Sequence, residues 1–93
     1  MAEANLVLAE ALVQEGDGPR AAEHADAARL AFHDMHDVAN GIRADIAIAQ
    51  SRALDGQVAE ARARLENAIG LARRLGDPDV IAVGEAALTG VTG

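Results

Sequence analysis

The sequence predicts an all-α protein, a run of antiparallel helical hairpins made from about five helices. Two observations predict it. The first is a duplication at a shift of forty. Gly16 maps onto Gly56, Ala21 onto Ala61, Ala28 onto Ala68 and Asp37 onto Asp77. Leu6 falls on Ile46, Leu8 on Ile48 and Ala9 on Ala49 in the same register. A fixed period of roughly 20–50 residues marks stacked repeats. The second is punctuation. Gly16-Asp17-Gly18, Asp37, Asp55-Gly56 and Gly76-Asp77-Pro78 interrupt stretches whose apolar residues recur at helical spacing.

The elements follow in chain order. Ala2 to Glu15 reads as a helix, with Ala4, Leu8, Ala11 and Leu12 at helical spacing and Val7 beside them. Pro19 suits the first turn of the next helix, where its missing N–H is not needed. That helix runs to about Met35, with Ala21, Ala25, Ala28 and Phe32 as its stripe and Arg20, Glu23, Asp26 and Asp34 on its solvated side. Asp37 is the expected N-cap of a third helix, Val38 to Leu54, marked by Ile42, Ile46, Ile48 and Ala49. Gly56 ends it. The fourth helix, Gln57 to Leu75, has Val58, Ala61, Leu65, Ala68 and Ala72 as its inner stripe, flanked by Ile69 and Leu75. Gly70 costs that helix up to about 1 kcal/mol relative to Ala, so close packing against a neighbour is its expected reason. Asp77-Pro78 starts a last helix, expected to end near Leu88 before Gly90 and Gly93.

Ninety-three residues make one domain, 1–93, divided into a first unit of about 2–37, a second of about 38–77 and a single-helix third of about 78–90. Phe32 is the one aromatic residue, so the core is Ala, Leu, Ile and Val. The net charge is −7, and the eight basic residues are all Arg. Arg62, Arg64, Arg73 and Arg74 are offset by neighbouring acids, which speaks against nucleic-acid binding. No cysteine offers a disulfide or a thiolate metal site. The N-terminus lacks a basic region before its apolar run, and no stretch is long enough to span a bilayer, so the expected location is the cytoplasm.

Candidate chemistry is sparse. His33, His36 and Asp37 have metal-ligand character, and two His three apart on a helix can face one ion. The ligand count falls short of a closed set of four, and a cationic His is ordinary at a helix C-terminus. His24 stands alone, as a surface or rim residue. Ser51 has no elbow glycines around it. The sequence therefore predicts no catalytic residue, no metal and no cofactor: the chain is not expected to be an enzyme.

The pattern Leu8, Ala9 and Leu12, the turn Gly16-Asp17, then Ala21, Ala25 and Ala28 resembles the tetratricopeptide repeat. Ile48 and Ala49, followed by Gly56, Ala61, Leu65 and Ala68, repeat it. The endings HDMHD and ARRLGD, and a period of forty rather than the usual thirty-four or so, resemble the longer-helix variety of large bacterial regulators and signalling ATPases. The resemblance implies a right-handed α-solenoid whose first helices line a concave surface. It places Glu3, Leu6, Glu10, Val13 and Gln14 of the first unit on that surface, with Arg43, Ile46, Gln50 and Ala53 of the second. For Leu6 and Ile46 the same apolar spacing is what burial between adjacent helices produces. The implied function is a non-catalytic module that binds a peptide or helix in the groove, within a larger bacterial regulator or scaffold. The family's carboxylate clamp needs Lys, Arg and Asn there, and only Arg43 qualifies. The rival reading is a self-associating helical bundle that forms a homodimer, because two units fall short of the three or so that repeat arrays need.

Overall fold

The computed structural model describes residues 1–92, which form five α-helices and no strand: α1 Ala2–Glu15, α2 Gly18–Asp34, α3 Val38–Leu54, α4 Val58–Leu75 and α5 Pro78–Thr92. The all-α expectation holds, and four helices fall within about one residue of their expected bounds. The fifth does not stop near Leu88. It continues through Gly90, because Leu88 and Val91 pack against the core and outweigh the glycine's low helix propensity.

The turns repeat at half the sequence period. Gly16, His36, Gly56 and Gly76 all have positive φ, of 80°, 57°, 87° and 76°, each twenty residues from the last. The residue after each donates its N–H to the carbonyl five back: Asp17 to Leu12, Asp37 to Phe32, Gln57 to Arg52 and Asp77 to Ala72, at 2.9–3.3 Å. This is the left-handed helix stop that satisfies orphan carbonyls. Three of the four following helices are then capped by an aspartate. Asp17 Oδ1 accepts from the Arg20 N–H, Asp37 Oδ1 from Asn40 and Asp77 Oδ1 from Val80, each at 3.2 Å. Gln57, at the fourth such position, makes no side-chain cap.

Helix α3 is the centre of the molecule. It touches all four other helices, whereas α1 and α2 make no contact with α4 or α5 among the described residues. Its buried positions go most of the way round: Ile42, Ala44, Ile46, Ala47, Ile48, Ala49 and Ser51. One side packs with Leu6, Ala9, Ala25, Ala28 and Phe32 of the first hairpin. The other packs with Leu65, Ala68, Ala72, Val80 and Ala87. Ser51 is enclosed, and its hydroxyl donates to the Ile48 carbonyl at 2.6 Å, so its burial leaves no polar atom stranded.

Helix faces follow the sequence where a polar side exists to oppose the apolar one. In α2, Ala21, Ala25, Ala28 and Phe32 are buried as expected. In α4, Ala61, Leu65, Ala68, Ile69 and Ala72 are buried, but Val58 and Leu75 at its ends are exposed. In α1 the buried residues are Leu6, Ala9 and Leu12; of the expected stripe only Leu12 is inside, and Val7 and Leu8 face outward. That helix is apolar nearly all round, so its neighbours choose its face. Gly70 also departs from expectation: a Cβ there would meet nothing within 4 Å. The close approaches are at Gly18, where a Cβ would stand 3.2 Å from the Ser51 carbonyl, and at Gly84, where it would stand 2.7 Å from Ile69 Cγ1.

Candidate ligand groove

Helices α1 and α5 flank α3 on one side without touching each other. Between them lies an open cleft of about 410 Å³. Val13 and Gln14 of α1 form one wall, Gln50 and Ala53 of α3 the floor, and Ala86, Gly90 and Val91 of α5 the other wall. Leu54 and Val58 close one end. The contact surface is apolar with two side-chain amides, a composition suited to holding a backbone and a few apolar side chains.

Along the same side, Arg43 and Glu10 link α3 to α1. Arg43 Nη2 donates to both Glu10 carboxylate oxygens, at 2.9 and 3.1 Å. Both side chains are about one-third exposed, so the pair fixes the two helices more than it stabilises them. Arg43 Nε is buried and has no partner.

Of the nine expected groove residues, Val13, Gln14, Gln50 and Ala53 share the cleft, and Glu10 and Arg43 pair with each other. Glu3 is exposed near the N-terminus, apart from the cleft lining. Leu6 and Ile46 are a correction: they are 3% and 1% exposed and belong to the core, Leu6 with Phe32 and Ala44, Ile46 with Leu65. Their spacing reported burial, and they offer a ligand no surface. The α5 wall was missing from the sequence-based set because that set drew only on the first helices of the first and second units. The i,i+4 pair Ala86 and Gly90 was the available signal.

The remaining candidates are placed as follows. His36 lies beyond the end of α2 in the left-handed conformation, so it and His33 do not stand one helical turn apart as a pair. Among the described residues no group of three or more His, Asp or Glu converges as metal ligands would. His24 bridges the first hairpin, its Nδ1 donating to Asn5 Oδ1 at 3.1 Å. No helix of the described residues is long and apolar enough to cross a membrane.

Fold and cleft together define an all-helical protein with an open, mostly apolar groove across its first, third and fifth helices. Compared with family models, curated proteins and solved structures, the chain matches none.

Proposed function

We propose that the chain is a non-catalytic protein-interaction module of the tetratricopeptide kind, binding a peptide or helix between α1 and α5. The observation that carries this is the cleft over α3, whose two walls come from α1 and α5, helices far apart in sequence that do not touch each other. The pattern of helix contacts supports it. Helices α1 and α5 each meet α3 without meeting one another, and α2 and α4 do the same, a pattern compatible with hairpins stacked side by side. The turns support it too, since each has a positive-φ residue followed by the same backbone bond to the carbonyl five back. On this reading the module serves a cytoplasmic bacterial regulator or scaffold.

Selection from a random peptide library against the immobilised chain tests the reading. Ala53→Arg fills the groove floor with a long charged side chain. Enriched peptides are expected to lose affinity by about tenfold or more on Ala53→Arg, the loss of about 1.4 kcal/mol that one disrupted anchor costs. Absence of enrichment, or binders indifferent to Ala53→Arg and to Gln50→Glu, would overturn it.

A second reading, self-association, is favoured by one feature. Met35, Val38 and Leu75 are 57%, 57% and 46% exposed and line a common hollow beside the α2–α3 and α4–α5 turns. Grouped large apolar side chains at a surface mark contact sites. Light scattering decides this: a monomer at high micromolar concentration would remove the reading, and a dimer dispersed by Val38→Glu would favour it.

A further inference from the structure

Helix α1 carries an outer stripe of Ala4, Val7, Leu8 and Ala11, whose spacing sets them on one helical face. All four are exposed, Val7 by 64% and Leu8 by 39%. Forty residues on, the same positions are Ala44, Ala47, Ile48 and Ser51 of α3, and there all four are buried. The first hairpin covers them. Ala44 shares a core cluster with Leu6, Ala28 and Phe32, Ala47 and Ile48 share one with Ala9 and Ala25, and Gly18 lies against the Ser51 carbonyl. Another forty residues on stand Gly84, Ala87, Leu88 and Val91 of α5. Gly84 lies against Ile46 and Ile69, and the other three pack into the cluster of Ile46, Ala49 and Leu65. Twice in this chain, then, these positions meet the hairpin before them. On α1 they meet none, since α1 touches only α2 and α3 among the described helices.

The other end of the molecule is built differently. On α3, Ile42, Ile46 and Ala49 pack with Leu65, Ala68 and Ala72 of α4. The corresponding residues of α5 are Ala82, Ala86 and Thr89, all exposed. Large apolar side chains are absent from that face, as suits the solvated end of a stack. The α1 stripe keeps them, and a grouped apolar surface of this kind marks a contact site.

Charge narrows the choice of occupant. Arg43 of α3 bonds Glu10 of α1 across the covered interface. Forty residues before Arg43 stands Glu3, an exposed acid. An occupant seated in the same way needs a cation where α1 has Glu10. A second copy of this chain would bring Glu10 itself against Glu3, and like charges placed together disfavour a partner. Asn5 stands in the place of Asp45 and is held by His24, so no second charge is called for.

We infer that the outer face of α1 is a docking site for a helical hairpin of a partner polypeptide. The partner's second helix bears an Ala-rich stripe like Ala21, Ala25, Ala28 and Phe32 of α2, and its first helix bears Lys or Arg opposite Glu3. The stripe shares no residue with the α1–α5 groove, so either site can fail without the other.

The test is a titration of the isotope-labelled full chain with an unlabelled peptide of residues 1–37 in which Glu10→Lys supplies the cation. Backbone amide signals of Ala4, Val7, Leu8 and Ala11 are expected to shift saturably, while those of Ala82 and Thr89 stay in place. Val7→Glu in the full chain, at a position exposed enough to leave the fold intact, is expected to weaken binding by about tenfold or more, because it buries an unpaired charge. The peptide that keeps Glu10 is expected to bind about threefold more weakly, the scale of one exposed ion pair. Silent α1 signals, binding indifferent to Val7→Glu, or equal affinity of the two peptides would overturn the assignment. So would shifts in the buried residues of α3, where the peptide has displaced the chain's own first hairpin. Shifts of α1 that follow the chain's own concentration without peptide would assign the face to a second copy instead.

Discussion

Two chemically identical substitutions, Gly70→Ala on α4 and Gly84→Ala on α5, are expected to move stability in opposite directions. Each adds one methyl group to a helix interior and gains up to about 1 kcal/mol in helix propensity. At Gly70 the methyl meets nothing within 4 Å, so the gain stands alone. At Gly84 it arrives 2.7 Å from Ile69 Cγ1 and 3.5 Å from Ile46 Cδ1. Carbon atoms rest about 3.5–4.0 Å apart, so the first contact is short by about 1 Å. Ile69 is 6% exposed and β-branched on a helix, so it has one favoured χ1 and little room to turn away. Helix α5 must lift instead, loosening Val80 and Ala87 from the core. Overpacking of this kind costs about 1–3 kcal/mol, which leaves a net loss of about 1 kcal/mol. For a domain of this size each 1 kcal/mol is worth about 4–8 °C in Tm. Thermal unfolding followed by far-ultraviolet circular dichroism separates the two, and the lack of Trp and Tyr makes that the natural probe. Ile69→Ala removes Cγ1, and in that background Gly84→Ala is expected to become stabilising. If Gly84→Ala raises Tm as Gly70→Ala does, α5 is not seated on Ile69 as described.

Three further outcomes follow from the turns and from Asp45. His36→Gly relieves a side chain held at φ 57°, at the position where Gly16, Gly56 and Gly76 stand. Relief of about 1–2 kcal/mol, less the entropy glycine adds to the unfolded chain, leaves a gain of about 0.5–1 kcal/mol in urea unfolding. Gln57→Asp supplies the cap that Asp17, Asp37 and Asp77 make at the equivalent positions, and is expected to raise the urea midpoint by about 1 kcal/mol in free energy. Asp45 binds its proton more tightly folded than unfolded, so it favours the native state in acid and loses that contribution as pH rises through its raised value. Asp45→Asn is therefore expected to be at least as stable as the parent at neutral pH. That advantage should disappear below the ordinary carboxylate range, and it is small because the side chain is 39% exposed. A variant less stable than the parent at neutral pH would contradict the raised affinity.

Several features could be read from the chain because they depend on residues close in sequence. The stops at Gly16, Gly56 and Gly76 and the caps at Asp37 and Asp77 are bonds spanning two to five residues. The stripe of α2 was legible because Arg20, Glu23 and Asp26 mark its opposite side. Four residues of the cleft lining, Val13, Gln14, Gln50 and Ala53, came from a resemblance carried by the same local pattern.

Only the tertiary structure decided the rest. Helix α1 has apolar residues on almost every side, so burial of Leu6 rather than Leu8 depends on where α2 and α3 lie. The pairing of Glu10 with Arg43 joins residues 33 apart, and the second wall of the groove comes from a helix more than 70 residues beyond the first. Gly70 and Gly84 look alike in the sequence, and only the position of Ile69 tells them apart. Hydrogen bonds within a turn are set by the residues that make them, whereas a packed face needs a partner surface, and that partner exists only once the helices have met.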